Sequence, residues 1–175
     1  MSRFGKYVII ALIAAGILAV VFVTRLWKSQ EPSSDGKLYP APQLVLKDYD
    51  GRDVALSDFR GRPIVVNAWA AWCPFCVKEL PDFAALQEEF RDKIAVVAVD
   101  RAESLEVAKK FSDEAGVTGR IILLLDPSDS FYRSIGGFSM PETIFVDAGG
   151  MVVDHKRGPM DLDEMRVRTK KAFNL

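Results

Sequence analysis

The chain has 175 residues, enough for one globular domain and an accessory segment. A net charge of −1 gives no electrostatic footprint for nucleic acid. Two cysteines and one histidine are too few ligands for a structural zinc centre within one chain.

The charge is unevenly distributed. Four of the 23 basic residues and none of the 24 acidic ones lie in residues 1–28, so the remainder carries a net charge of about −5. Within that first segment, "YVIIALIAAGILAVVFVT" (Tyr7 to Thr24) is an uncharged apolar run. Its length, roughly 18 residues, is at the lower limit for crossing a bilayer. Arg3 and Lys6 precede it; Arg25, Trp27 and Lys28 follow, with Tyr7 and Trp27 at the two expected interfaces. A cleaved signal peptide would have a shorter core and a small-x-small cleavage site, which "VTRLWKSQEP" does not supply. Residues 1–28 therefore read as an uncleaved single-pass anchor that contacts the lipid bilayer. Residues 29–38, with "SQEPSSDGK", read as a polar linker. The domain is expected over 39–175.

Inside it, "QLVLKDYDGRDVALSDF" predicts two short strands around the turn "DYDG". "PIVVNAWA" (Pro63 to Ala70) is an apolar, β-branched run suited to the centre of a sheet. In "PFCVKELPDFAALQEEFRD", Phe75, Val77, Leu80, Phe83, Leu86 and Phe90 recur at helical spacing; Pro74 fits the first turn and Pro81 falls inside. A second buried strand, "KIAVVAVD", follows. Then come an amphipathic helix (Ser104 to Gly116), a third strand (Arg120 to Asp126) and a short helix ending at Gly136. "ETIFVDAGGMVVDHKRG" predicts a hairpin, and Asp161 to Phe173 a closing helix. Strands alternating with helices predict one α/β domain with a mixed central sheet flanked by helices. His155 reads as a surface or edge-strand residue on an outer face.

Both cysteines, Cys73 and Cys76, lie in "AWAAWCPFCVKEL". A zinc half-site lacks further ligands. A structural staple closing so short a loop removes little unfolded-state entropy. A reactive dithiol explains the surroundings: strand, CxxC and helix follow one another. That order places Cys73 at a helix N-terminus, where unpaired N–H groups favour a thiolate. Cys76, one turn on, is placed to resolve a mixed disulfide. Trp72 beside the nucleophile offers an apolar docking surface; Trp69 faces the other way, into the core. Glu79 alone would read as a solvated helix residue.

These residues resemble the active-site segment of the thioredoxin superfamily. "WCxxC…ExP" is similar to its TlpA/ResA-type branch of membrane-anchored thiol–disulfide oxidoreductases, many serving cytochrome c maturation. The likeness runs from Tyr39 to Phe173, and the unit from Ser104 to Asp126 matches an insertion of that branch. It implies a thioredoxin-like fold, with Cys73 as the attacking and Cys76 as the resolving thiol. It implies a cis bond at Pro141 facing the dithiol, with Met140 presenting its backbone to a substrate strand. It also implies a proton-relay role for Glu79. Trp72, Pro74, Phe75 and Met140 become the substrate-docking residues. Two departures stand out. Asn67 replaces the buried aspartate of thioredoxin, as is frequent in this branch, and the inter-cysteine dipeptide is Pro-Phe where a second proline is more usual.

The expected function is reduction of client-protein disulfides, with no cofactor and no metal. The expected site of action is the extracytoplasmic face of a bacterial plasma membrane, where disulfides persist. A membrane thiol-relay protein would supply electrons; apocytochrome c is one possible client. Alternatives are a disulfide-forming oxidant of the same fold and a non-catalytic redox sensor or binding module. A peroxidase is disfavoured by the Trp-CxxC arrangement.

Overall fold

A computed structural model describes residues 39–175. The expected anchor (1–28) and linker (29–38) lie outside the described residues. Among the described residues, no helix is long and apolar enough to cross a membrane.

Eight strands form one mixed sheet: β1 (Tyr39–Pro40), β2 (Val45–Asp48), β3 (Asp53–Ala55), β4 (Ile64–Trp69), β5 (Ala95–Arg101), β6 (Ile122–Asp126), β7 (Glu142–Val146) and β8 (Met151–Arg157). Their order across the sheet is β1-β8-β7-β4-β5-β6-β2-β3. The three apolar runs form the parallel centre, β4 beside β5 and β5 beside β6. All six residues of β4 are buried, as burial on both faces requires of a run without alternation. The predicted hairpin of β7 and β8 joins β4 antiparallel. The two-residue β1 covers the outer side of β8. His155 lies beyond that short pairing, yet its side chain, between Tyr39 Oη and Glu142, is only 13% exposed, which corrects the outer-face expectation.

Among the described residues, four α-helices cover the sheet: α1 (Pro74–Phe90), α2 (Leu105–Glu114), α3 (Ser130–Ser134) and α4 (Leu162–Phe173). Cys73, Ser104 and Asp161 cap α1, α2 and α4, each side chain accepting a first-turn backbone N–H. Pro81 lies within the continuous α1. Helices α1 and α4 pack together on one face, where Phe83, Leu86 and Met165 meet Val65, Trp69 and Phe145. Each fully buried side chain of that size contributes roughly 1.5–3 kcal/mol. On the opposite face, Phe131, Tyr132 and Ile135 of the α3 region cover Val66, Val97 and Leu124. Both cysteines belong to the α1 face.

Candidate active site

The site begins where β4 ends. A turn closes from the Cys73 N–H to the Ala70 carbonyl at 3.1 Å, and α1 starts immediately afterwards with Pro74. Pro74 suits the first helical position because its missing N–H would have no partner there. The Cys73 sulfur accepts the Cys76 N–H at 3.2 Å, as a helix N-terminus offers. Cys73 and Cys76 are joined as a disulfide, with an S–S distance of 2.17 Å and Cα atoms 5.3 Å apart. The sulfurs are covered while their neighbours are not: Trp72 is 62% and Phe75 57% exposed, and Pro74 is exposed as well.

The Met140–Pro141 peptide is cis. Strand β7 runs antiparallel to β4 with Ala68 opposite Glu142. Pro141, one residue earlier, therefore falls at the end of β4 that leads into the dithiol turn. Pro141 is buried, and the half-buried Met140 packs against the cluster holding Cys73 and Cys76. Topology thus brings Trp72, Cys73, Pro74, Phe75, Cys76, Met140 and Pro141 to one end of the sheet.

Glu79 lies three residues after Cys76 on α1 and is only 3% exposed, so it is a buried group and not a solvated one. Its Oε1 accepts the Asn67 amide N–H at 2.9 Å, and its Oε2 accepts the Met160 backbone N–H at 3.1 Å. Asn67 also donates to Thr143 Oγ1 at 3.1 Å, tying β4 to β7 below the dithiol. Burial disfavours the carboxylate and pushes Glu79 up to about 8, against the pull of its two hydrogen bonds. A carboxyl in that range can both give and take a proton near neutral pH. Asn67 and Glu79 form a hydrogen-bonded pair beneath the dithiol turn. Asn67 supplies a donor from the strand and Glu79 the titrating group from the helix.

Further groups at this end of the sheet escaped the sequence reading. Glu142 is fully buried directly after Pro141. Its Oε1 accepts the N–H groups of Phe138 and Ser139, each at 2.7 Å, and its Oε2 is 2.9 Å from His155 Nε2. The loop it fixes carries Phe138, 84% exposed. An acidic residue opening an otherwise apolar strand was the available signal. Asp100 and Glu103 lie at the end of β5 and in the turn beyond it. Glu103 Oε2 accepts the Ala71 N–H at 2.7 Å, a contact between segments that no local pattern announces.

Comparison with known proteins agrees with this geometry. Residues 35–171 match the Redoxin family model. The chain is 26% identical over 165 residues to the thiol-disulfide oxidoreductase ResA of Bacillus cereus (strain ATCC 10987 / NRS 248), covering 94% of this chain and 93% of the relative. It is 33% identical over 128 residues to the thioredoxin-like protein YneN of Bacillus subtilis (strain 168), covering 71% and 74%. Among solved structures, MTB DsbF in its mixed oxidized and reduced forms superposes with a TM-score of 0.69 at 28% identity. That match covers 75% of this chain and 98% of DsbF. With strand, dithiol, helix and cis-proline in the arrangement described, the chain belongs to the Redoxin family and is a thioredoxin-like thiol–disulfide oxidoreductase of the ResA/TlpA type.

Proposed function

We propose that this oxidoreductase is a membrane-tethered reductant of client-protein disulfides on the extracytoplasmic side of a bacterial plasma membrane, with cytochrome c maturation as its setting. The observation that carries the reducing direction is the buried Glu79 one helical turn from Cys76, with its proton affinity raised to about 8. Strongly oxidising dithiols stabilise their reduced form by lowering a thiol pKa. A carboxyl beside the pair acts the other way. Mostly protonated near neutral pH, it offers a thiolate no positive partner, and the fraction that ionises repels one, so the reduced dithiol is less stabilised and gives up its electrons more readily.

In the forward direction the Cys73 thiolate attacks one sulfur of the client disulfide. The client S–S bond breaks, a Cys73–client bond forms, and one client thiolate leaves. Glu79 takes the proton of the Cys76 thiol. The Cys76 sulfur then attacks Cys73, releasing the second client thiolate and leaving the Cys73–Cys76 disulfide. Two electrons have passed to the client, whose thiolates collect two protons. Met140, before the cis bond, pairs its backbone with the extended client segment, while Trp72, Pro74 and Phe75 supply the apolar contact around the sulfur. Return to the reduced state requires a dithiol donor in the membrane. The apolar run from Tyr7 to Thr24 supports tethering beside it.

The test is the reduction potential of the full chain in detergent, equilibrated in redox buffers and read by thiol trapping. A value near about −250 mV or below supports the reductant. A value near about −120 mV overturns the direction and makes the chain a disulfide-forming oxidant.

A further inference from the structure

The segment between β4 and the nucleophile is Ala70–Ala71–Trp72. One backbone bond, from Cys73 to Ala70, closes it. The Ala71 N–H points away from that turn and is taken by Glu103 Oε2 at 2.7 Å, 32 residues further along the chain. Charged acceptors at this distance form the stronger class of hydrogen bond.

The turn that delivers Glu103 is fixed at three points. The Ala102 N–H donates to the Asp126 carbonyl at 3.0 Å. The Glu103 N–H donates to Asp100 Oδ1 at 3.2 Å. Ser104 caps α2 by accepting the Val107 N–H at 3.4 Å. Between the first two, Ala102 holds φ +58°, a left-handed conformation that disfavours any side chain. The unusual backbone turns the chain so that residue 103 reaches back over the end of β4. Asp100 beneath it is fully buried, directly opposite Trp69 in the parallel ladder. Burial, with the neighbouring Glu103 carboxylate, holds Asp100 well above the usual carboxylate range. Its Oδ1 supports the Glu103 backbone from below. Tyr49, on the segment before β3, lies near Asp100 and Glu103, with Asp113 of α2 also near Tyr49, and the Asp126 charge adds to the lift on Asp100.

We propose that Glu103 is a positioning residue of the dithiol: it holds the Ala71 amide so that Cys73 enters α1 with its sulfur on the Cys76 N–H. The proposal rests on the dithiol being the reacting group. A loosened turn costs the Cys73 thiolate its helix-end donor, so its proton affinity rises and its attack slows. Simple loss of a nearby negative charge predicts the opposite, a lower proton affinity and a faster thiol. The two effects are separable because glutamine keeps an acceptor oxygen without the charge, whereas methionine keeps the length and offers no oxygen.

The experiment uses the full reduced chain in detergent, reacted with an aromatic disulfide reagent (dithiobis-nitrobenzoate) across pH, with thermal unfolding followed in parallel. Glu103→Met is expected to slow Cys73 attack at neutral pH by about ten-fold and to move the rate profile to higher pH, the size set by losing a hydrogen bond to a charged group. Glu103→Gln is expected to restore most of that loss. Equal rates for Met and Gln, with an active wild type, overturn the positioning role alone. A wild-type chain that fails to react overturns the dithiol reading and this proposal with it. Should Glu103→Met not fold, hydrogen exchange at the Ala71 amide decides. Slow exchange in wild type and in Glu103→Gln supports the role, and exchange at the free-peptide rate in either overturns it.

Discussion

The two faces of the sheet treat buried acid differently. On the α3 face, Glu142 and Asp126 are fully buried and amply supplied with donors. Asp126 accepts from Ser128, Ser130 and the Phe131 backbone; Glu142 accepts from Phe138, Ser139 and His155. On the dithiol face, Glu79 has two donors, and Asp100 accepts from Glu103 while its Oδ2 has no partner. For Glu79 and Asp100 burial outweighs the donors and lifts proton affinity. A carboxylate whose oxygens are filled by backbone N–H groups anchors a loop. A buried carboxyl with fewer donors more readily keeps its proton. Asp126 and Glu142 have three donors each, Glu79 two and Asp100 one.

The largest test of the contrast is at the sulfurs themselves. Cys73→Ser is expected to reduce disulfide exchange below detection, and Cys76→Ser to accumulate a stable mixed disulfide with client, visible on a non-reducing gel. Exchange that survives Cys73→Ser would move the chemistry elsewhere. On the donor-rich face, Glu142→Ala leaves two part-buried N–H groups and a histidine without their acceptor. It should cost about 3 kcal/mol in denaturant unfolding of the full chain. A loss within the range of a surface substitution would remove the distinction between anchoring and proton-active acids.

Glu79→Gln keeps much of the hydrogen bonding but cannot take a proton. Reduction of client disulfide should slow by about 100-fold, mostly in the step that Cys76 carries out. The same variant tests stability against pH. Because Glu79 holds its proton up to about 8 when folded and loses it near 4.5 when unfolded, the unfolded chain binds fewer protons between those values. Wild-type stability therefore falls as pH rises across that window, with Asp100 adding in the same direction. Glu79→Gln should flatten part of the fall in melting temperature, and a wild-type curve that climbs over this window would contradict the assignment. The smallest effect on the fold is expected at Phe138. Phe138→Ala should change stability by less than about 0.5 kcal/mol, since the ring is 84% exposed. It should still raise the client KM severalfold, while leaving attack on a small disulfide reagent unaltered.

The sequence by itself determined the order of elements and the place of the dithiol, because both depend on short-range physics. Short, β-branched, unalternating runs such as "IVVNAW" read as central strands, helical spacing marks α1, and CxxC after a strand falls at a helix start. The likeness carried by "WCPFC" and "SMPET" extended this to Glu79 and Pro141, which spacing alone would have left as a solvated residue and an ordinary turn. Only the tertiary structure decided how the acids were used. Glu79 reads as exposed until α1 is laid on the sheet beside Asn67 and Met160. His155 reads as peripheral until β8 pairs with β7 and its ring comes within 2.9 Å of the buried Glu142. Glu103 has no pattern at all until β5 lies parallel to β4 and brings residue 103 to the Ala71 amide. Hydrophobic periodicity is written within one element, whereas a hydrogen bond to a buried carboxylate joins residues from several, and only their packing brings them within reach.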